Sequence, residues 1–327
     1  MKFQMTMIVI SYITTVILSL IIIPILRKVK VGQIERDDGP QSHLKKQGTP
    51  TMGGIIFMIG IILCTTGVYA VLHLIGHSEI AQNLLPMLCL TMGFGIIGFI
   101  DDFKKLVLKN TKGLKPSYKM LGLLLISIAY TFFIIKFCNI GTETYIPFIK
   151  MYLNLPLAIY IPFAILVILA TTNAINLTDG IDGLSSSVST IIIATLTTIA
   201  IMQDTSEVTI FGSVVIGSVL GFLMFNLHPA KVFMGDTGSL FLGGVISSIA
   251  LYLKMPLLLL IIALVPILET ISVILQVVYF KATGGKRLFK MSPLHHHFEL
   301  SGWSENKVVI IFSVITLLVC VLGIFAV

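Results

Sequence analysis

Residues 5–26 of the chain read MTMIVISYITTVILSLIIIPIL, an apolar run that contains no charged side chain. A helix needs about 20 apolar residues to cross the hydrocarbon core of a bilayer, so this run predicts a membrane-spanning helix. The run ends in Arg27 and Lys28 and lacks the small-residue cleavage site of a removable signal peptide. The fold is therefore expected to begin in the membrane.

Similar runs recur along the whole chain. Only 11% of the 327 residues are charged and 56% are hydrophobic, whereas soluble domains carry roughly 25% charged residues. We predict an all-α polytopic membrane protein in which residues 1–327 form a single domain. The ninth span is predicted to be long and to kink or break at Pro266. The ten predicted spans lie near residues 5–26, 53–73, 84–101, 119–136, 156–175, 187–203, 209–226, 238–253, 255–280 and 306–326.

Basic residues predict the orientation. Of the 22 Lys and Arg residues, 18 lie on loops that follow odd-numbered spans and 4 lie on the other side. Loops rich in Lys and Arg stay in the cytoplasm, so both termini are predicted outside. The polar motifs also fall on the cytoplasmic loops, which predicts one composite site. Those loops lie near residues 27–52, 101–119, 173–186, 226–238 and 281–305.

The net charge of +7 does not by itself indicate nucleic acid, and no nucleic-acid partner is expected. In a membrane protein such a charge arises from loops that face anionic lipid or from a pocket for an anionic substrate.

Two adjacent carboxylates, Asp101 and Asp102, end the third predicted span. A helix C-terminus carries partial negative charge and disfavours acids, and neighbouring carboxylates repel each other. One interpretation is a solvated cap with Lys104 and Lys105 as counter-ions. A functional interpretation explains why two carboxylates occupy this unfavourable position: they form a metal-binding or acid–base pair beside a phosphate-binding lysine cluster.

Residues 173–183 read NAINLTDGIDG and follow the fifth span. Their Asn, Thr and Asp side chains supply the hard oxygens that Mg²⁺ prefers, and glycine lets the backbone approach a ligand. A simple polar turn is the alternative. It leaves Asn173 and Asn176 unexplained, because amides on the last turn of a span are costly near lipid.

Residues 226–239 read NLHPAKVFMGDTGS and lead into the eighth span. Asp236 directly precedes the predicted span, and two interpretations are open. It is either an ordinary N-cap or part of a seat for phosphate or a carboxylate-bound metal at the helix N-terminus.

The last cytoplasmic loop contains PLHHHFE at residues 293–299. Adjacent histidine side chains diverge and do not favour one tetrahedral zinc, so we expect them to bind phosphate or ribose or to move protons. Gln276 and Glu269 lie on one face of the ninth span. Gln276 is expected to reach a ligand, whereas the sequence indicates no partner for Glu269 and only a structural role.

Together these segments resemble the polyprenyl-phosphate N-acetylhexosamine-1-phosphate transferase superfamily, and within it the phospho-N-acetylmuramoyl-pentapeptide transferase family. The resemblance covers essentially the whole chain. The most discriminating motif lies in the last cytoplasmic loop, near residues 281–305, which we call the histidine loop. The sequence of this loop is different in relatives that use UDP-N-acetylglucosamine. The matching motifs are KQGTPTMGG at residues 46–54, Asp101-Asp102, residues 173–183, FMGD at residues 233–236 and PLHHHFE at residues 293–299.

The resemblance implies a bacterial multi-pass enzyme of the cytoplasmic membrane whose active site faces the cytoplasm. Undecaprenyl phosphate would attack the β-phosphate of UDP-MurNAc-pentapeptide, with Mg²⁺ as cofactor. The products would be lipid I and UMP, in the first membrane step of peptidoglycan synthesis. The enzyme would be surrounded by membrane lipid. A homodimer is also suggested by the resemblance, although no residue of the sequence marks an interface.

The resemblance also implies roles for individual residues. Asp236 is the expected Mg²⁺ ligand, and Asp101 and Asp102 are the expected acids near the lipid phosphate. Together with His295 they form the expected catalytic group. The uracil end is expected to lie against Phe233, Gln276 and His296. The full expected substrate-binding set is Lys46, Thr51, Lys105, Asn176, Asp179, Asp182, Phe233, Gln276 and His296.

The lipid phosphate is already largely ionised near neutral pH, because its second pKa is about 6. Direct attack is therefore favoured, with Asp101 taking the residual proton or orienting the phosphate, and a covalent aspartyl-phosphate route is the open alternative. The alternative functions are a UDP-N-acetylglucosamine transferase and, less in keeping with the sequence, an ion-coupled transporter. A transporter places its polar residues near the midplane of two repeated halves, whereas here they cluster on one face.

Overall fold

The computed structural model of the protein describes residues 2–29, 48–106, 108 and 113–327. These residues form a helical bundle, which confirms the all-α polytopic fold class. The helices are α1 (Lys2–Lys28), α2 (Gly54–Leu74), α3 (Ser78–Leu106), α4 (Pro116–Lys136), α5 (Leu157–Thr178), α6 (Leu184–Met202), α7 (Ser206–Asn226), α8 (Gly235–Tyr252), α9 (Leu259–Ile262), α10 (Leu264–Ala282), α11 (Leu294–Glu299) and α12 (Glu305–Phe325).

Nine helices in the described part of the chain are long and apolar enough to cross a bilayer. They correspond to nine of the ten predicted spans, and the remaining one is α8. The number ten and the side on which the termini lie stay predictions. Large apolar side chains are exposed on the outer surface of the bundle, for example Leu20 on α1 and Leu318 on α12. Such a surface is stable when the surrounding solvent is lipid.

Helix α8 lies at the centre of the bundle and packs against α2, α3, α5 and α6. Every residue from Thr237 to Tyr252 is buried. A helix that faces protein on all sides does not need a lipid-compatible surface, which explains why α8 contains more Gly and Ser than the helices around it. Small residues let neighbouring helix backbones approach closely.

The predicted break in the ninth span is confirmed. A 3₁₀ turn at Pro256–Leu258 leads into α9, and α9 is separated from α10 by Ala263, whose backbone is not helical. Pro266 lacks the N–H that would bond to the carbonyl of Ile262. That carbonyl oxygen instead faces the Cys320 thiol at 3.7 Å. The break therefore separates α10 from the segment before it.

A two-stranded antiparallel hairpin connects α4 and α5, which the sequence analysis did not predict. Its strands are β1 (Glu143–Ile146) and β2 (Met151–Asn154). The hairpin is tied to the end of α8 through an ion pair between Lys254 and Glu143, 2.6 Å long. It lies at the opposite end of the bundle from the polar motifs.

A close backbone approach between α2 and α8 generates the first prediction. A Cβ atom added at Gly54 would collide with the backbone of Gly238, whereas one added at Gly67 on the same helix would meet open space. We expect Gly54→Ala to destabilise the protein by about 1–3 kcal/mol, as overpacking does. Gly67→Ala is the matched control. Thermal unfolding in detergent measures both, and equal midpoints for the two variants would contradict the close approach.

Candidate active site

The C-terminal end of α3 is joined to the N-terminal end of α8 by the carboxylate of Asp102. This buried carboxylate accepts hydrogen bonds from the backbone N–H of Thr237 at 2.9 Å, from the Thr237 hydroxyl at 2.6 Å and from the Asp236 N–H at 3.3 Å. The first N–H groups of a helix have no partner within the helix. Asp102 therefore caps α8 from another helix.

The interpretation of Asp236 as an ordinary N-cap is wrong. Helix α8 begins at Gly235, so the cap position belongs to Met234, and Asp236 lies within the first turn. The physical reason is that Asp102 already occupies the N–H groups that a local cap would satisfy. The Asp236 carboxylate is thereby left to contact other side chains of the site.

Two lysines bridge two carboxylates beside this cap. Lys105 Nζ lies 2.8 Å from Asp101 Oδ2 and 2.9 Å from Asp236 Oδ2. Lys119 Nζ lies 3.2 Å and 2.8 Å from the same two oxygens. The other oxygen of Asp101 accepts the N–H of Leu114 at 2.7 Å. Four formal charges thus balance within one cluster, which we call the Asp–Lys cluster (Asp101, Lys105, Lys119 and Asp236).

The turn after α5 adds amide and carboxyl groups to this cluster. Asn176 donates from Nδ2 to Asp236 Oδ1 and to the Ser239 hydroxyl, both at 2.8 Å. Withdrawal from bulk water raises the pKa of Asp179 well above its usual value, and the nearby carboxylates of Asp236, Asp102 and Asp182 raise it further. A carboxyl group with a raised pKa exchanges its proton closer to neutral pH.

The segment before α2 is fixed to the segment before α8 by backbone hydrogen bonds. Phe233 donates its N–H to the Pro50 carbonyl at 2.8 Å, and its own carbonyl accepts the N–H of Gly53 at 2.8 Å. Thr51 is buried. A Cβ atom added at Gly235 would lie 3.0 Å from the Thr51 hydroxyl and 2.6 Å from Asp102 Oδ2. Thr51 and Phe233 therefore border the site.

Asp182 lies in a second group of polar side chains, with His228 and Glu305. Their ligand atoms all lie within 4.8 Å of one another, so this group could hold a metal ion. His228 Nδ1 is 3.0 Å from Asp182 Oδ2, which also accepts the N–H of Ala230 at 3.0 Å. The sequence analysis did not identify His228 or Glu305 as site residues.

The histidine loop folds back onto α10. His295 is fully buried and its Nδ1 lies 3.2 Å from Oε2 of Glu269. The expectation that Glu269 has no partner is therefore wrong, because the loop that brings His295 to it is distant in sequence. The neighbouring His296 places Nδ1 3.0 Å from Glu299 Oε2.

Gln276 contacts the backbone of the same loop. Its Oε1 accepts the N–H groups of Leu288 at 3.1 Å and Phe289 at 2.9 Å. These bonds fix the loop to α10. The role of Gln276 at the uracil end stays a prediction.

The structure brings several of the sequence-predicted site residues together. Asp101, Asp102, Lys105, Asn176 and Asp236 converge at the junction of α3, α5 and α8. Lys46 lies outside the described residues. Reasoning from sequence missed Lys119, Thr237 and Ser239. The available signal for Lys119 was its position as a lysine at the first residue of a predicted span.

The oxygen donors of the Asp–Lys cluster suit a hard divalent cation. Asp236 and Asp101 each place one carboxylate oxygen within 3.2 Å of both lysine ammonium groups. The chemistry of the donor set is therefore compatible with a metal that binds together with phosphate.

The model for glycosyl transferase family 4 matches residues 84–254. The phospho-N-acetylmuramoyl-pentapeptide-transferase signature 1 matches residues 46–58. The first match includes most of the junction described above, and the second overlaps the segment that contacts Phe233.

Curated relatives are similar to the chain over nearly its full length. A phospho-N-acetylmuramoyl-pentapeptide-transferase of Clostridium botulinum is 48% identical over 95% of this chain and 93% of the relative. Proteins with the same name from Acetivibrio thermocellus and Bacillus subtilis are 46% and 45% identical, over 97% and 96% of this chain and 93% and 95% of the relatives.

The cap on α8 generates the second prediction. We expect Thr237→Val to destabilise the protein by about 1–3 kcal/mol, because it keeps the side-chain shape and removes a hydroxyl donor from the buried Asp102 carboxylate. Thr237→Ser keeps the donor and is the matched control. The midpoint of thermal unfolding in detergent is the measurement. If the Val variant unfolds at the same temperature as the Ser variant, the hydroxyl does not stabilise the cap.

Proposed function

The chain belongs to the phospho-N-acetylmuramoyl-pentapeptide-transferase family, and on this premise we propose the reaction and the roles of its residues. The enzyme transfers phospho-MurNAc-pentapeptide from UDP-MurNAc-pentapeptide to undecaprenyl phosphate, and the products are lipid I and UMP. The observation that carries the assignment of the site is the Asp–Lys cluster at the end of the bundle where the polar motifs meet.

The two lysines are proposed to bind the phosphates. Both substrates carry negative charge, so their approach must be offset by cations. Lys105 and Lys119 each hold two carboxylates in the structure described above, and their ammonium groups can turn from these carboxylates to phosphate oxygens. The substrate-binding roles of Thr51, Asn176 and Asp179 are proposed because these residues border the cluster or its cap. Those of Asp182, Phe233, Gln276 and His296 are proposed from the family to which the chain belongs.

The lipid phosphate is proposed to act as the nucleophile. One of its oxygens forms a bond to the β-phosphorus of the nucleotide, the bond from that phosphorus to the bridging oxygen breaks, and UMP leaves with the electron pair. A phosphate group is largely ionised near neutral pH, so no strong base is needed. Asp101 is in a position to orient the lipid phosphate through the shared lysines or to accept a residual proton.

Asp102 has a different proposed role from its neighbour. Within the described part of the chain, the hydrogen bonds that it accepts come from the first turn of α8. It therefore supports the reaction by holding Asp236 in place, and direct contact with the substrate is left to Asp101. His295 is proposed to contact the substrate from the other side of the turn at Asp179.

Mg²⁺ is the proposed cofactor, held by Asp236 and assisted by the facing oxygen of Asp101. When bound, a divalent ion offsets the charge that develops on the phosphates during transfer. The residues of the chain hold the substrates in position and exclude water around the buried carboxylates.

The location of the site is proposed from the distribution of charge. The excess of Lys and Arg on the loops after odd-numbered spans favours a cytoplasmic site with both termini outside. The lipid substrate would reach it from within the bilayer and the nucleotide from the cytoplasm. The bacterial cytoplasmic membrane is therefore the proposed location, and a homodimer is the proposed assembly.

The experiment that tests the function is an assay of UMP release in detergent with undecaprenyl phosphate, Mg²⁺ and one of two donors. We expect release with UDP-MurNAc-pentapeptide and none with UDP-N-acetylglucosamine. The Asp236→Asn variant is the inactive control, and Asp204→Asn in an exposed loop is the matched active one. Release from the second donor alone would change the substrate, and no release from either donor would overturn the proposal.

Lys119 provides the third prediction. We expect Lys119→Gln to lower kcat by about 10²-fold or more, because it removes one of the two cations that balance the carboxylates and the phosphates. Lys115→Gln is the matched control, since it removes the same charge from an exposed position at the start of the same helix. UMP release under saturating substrates is the measurement. Equal rates for the two variants would remove Lys119 from the site.

A further inference from the structure

Glu269 is a carboxylate with no exposed surface, on a helix that crosses the membrane. An ionisable group at such a position is costly unless it has a partner. Its partner is His295, which is also fully buried. Oε1 of Glu269 accepts the backbone N–H of His295 at 3.2 Å, and Oε2 lies 3.2 Å from Nδ1 of the same residue. One carboxylate thus holds both the backbone and the ring.

This contact determines which nitrogen of the ring carries the proton. An ionised carboxylate only accepts hydrogen bonds, so Nδ1 is the donor when Glu269 carries its charge. The tautomer of a histidine is set by the hydrogen bond that its second nitrogen makes. The neutral ring of His295 therefore has its proton on Nδ1 and a lone pair on Nε2.

The Nε2 atom is buried and has no hydrogen-bond partner within the described part of the protein. It lies against the turn of the candidate site, because a Cβ atom added at Gly180 would collide with it. Gly180 directly follows Asp179, whose pKa is raised in part by the neighbouring carboxylate of Asp236. A buried polar atom without a partner is destabilising, so an acceptor maintained at this position is suited to a ligand.

We infer that Glu269 is a positioning residue that keeps Nε2 of His295 as a hydrogen-bond acceptor for a hydroxyl or N–H group of the sugar-nucleotide substrate. The inference rests on the proposed transferase function. Glu269 itself does not touch the substrate. It acts through His295.

Glu269→Gln separates this role from a merely structural one. The glutamine keeps the size of the side chain, and its oxygen can still accept the backbone N–H of His295. Its amide nitrogen would then face Nδ1 as a donor and favour the opposite tautomer, with the proton on Nε2. We expect kcat to fall by about 10²-fold or more, as happens elsewhere when a catalytic histidine is held in the wrong tautomer, with the unfolding midpoint close to that of the parent protein.

Two further variants define the test. Glu269→Asp keeps the negative charge and should recover part of the lost kcat. Glu143→Gln removes a carboxylate that pairs with Lys254 at the far end of the bundle, and it should leave kcat unchanged. The tautomer is read from ¹⁵N chemical shifts of the histidine rings, with the His295 signals assigned by their loss in His295→Gln.

The expected result is a lone-pair shift for Nε2 in the parent protein and an N–H shift in Glu269→Gln, together with the fall in kcat. A Glu269→Gln variant with unchanged kcat would overturn the inference. So would a loss of kcat without a change of tautomer, or a loss that is fully explained by unfolding. Absence of UMP release in the parent protein would instead refute the proposed function, so the two failures are distinguishable.

Discussion

The rest of the site depends on the capping of α8 by Asp102. Helix α8 is enclosed by other helices. Its N-cap residue, Met234, makes no side-chain hydrogen bond to the N–H groups of the first turn. Asp102 satisfies them from α3. The two helices run in opposite directions, so the partial negative charge at the end of α3 lies beside the partial positive charge at the start of α8. The same arrangement explains why carboxylates are tolerated at the end of α3, a position that helix electrostatics alone disfavours.

The position of the Asp–Lys cluster follows from this cap. Once Asp102 is bonded to the first turn of α8, its neighbour Asp101 and the first-turn residue Asp236 are brought to either side of the same two lysines. Glycine makes the approach possible, because a Cβ atom at Gly98 would collide with the backbone of Asp236. Lys105 keeps more than a third of its side chain exposed, so water screens its ion pairs. The cluster can therefore exchange carboxylate partners for phosphate at a lower cost than a fully buried one.

The features that sequence predicted are those that depend on local patterns. Membrane spans are recognised from uninterrupted apolar length, and the break before α10 follows from a proline. The convergence of Asp101, Asp236 and Asn176 was predictable because their motifs all fall on loops of one predicted face. The pairings within the site were not predictable, since they join distant residues: Lys119 to Asp236, and Glu269 to His295. The sequence places the start of α8 at residue 238, whereas the helix begins at Gly235. Gly235 and Asp236 have low helix propensity, and their helical conformation depends on the cap that Asp102 provides.

The break in the ninth span gives a reason for the polar residues of α10. Glu269 and Gln276 lie on one face of this helix, and both bind the loop between α10 and α12: Glu269 at His295, and Gln276 at Leu288 and Phe289. A polar residue within a span also suits the ion pathway of a transporter. The hydrogen bonds that Glu269 and Gln276 accept instead come from the histidine loop, which adjoins the site. The buried carboxyl group of Glu269 is thus accounted for by the loop that it holds.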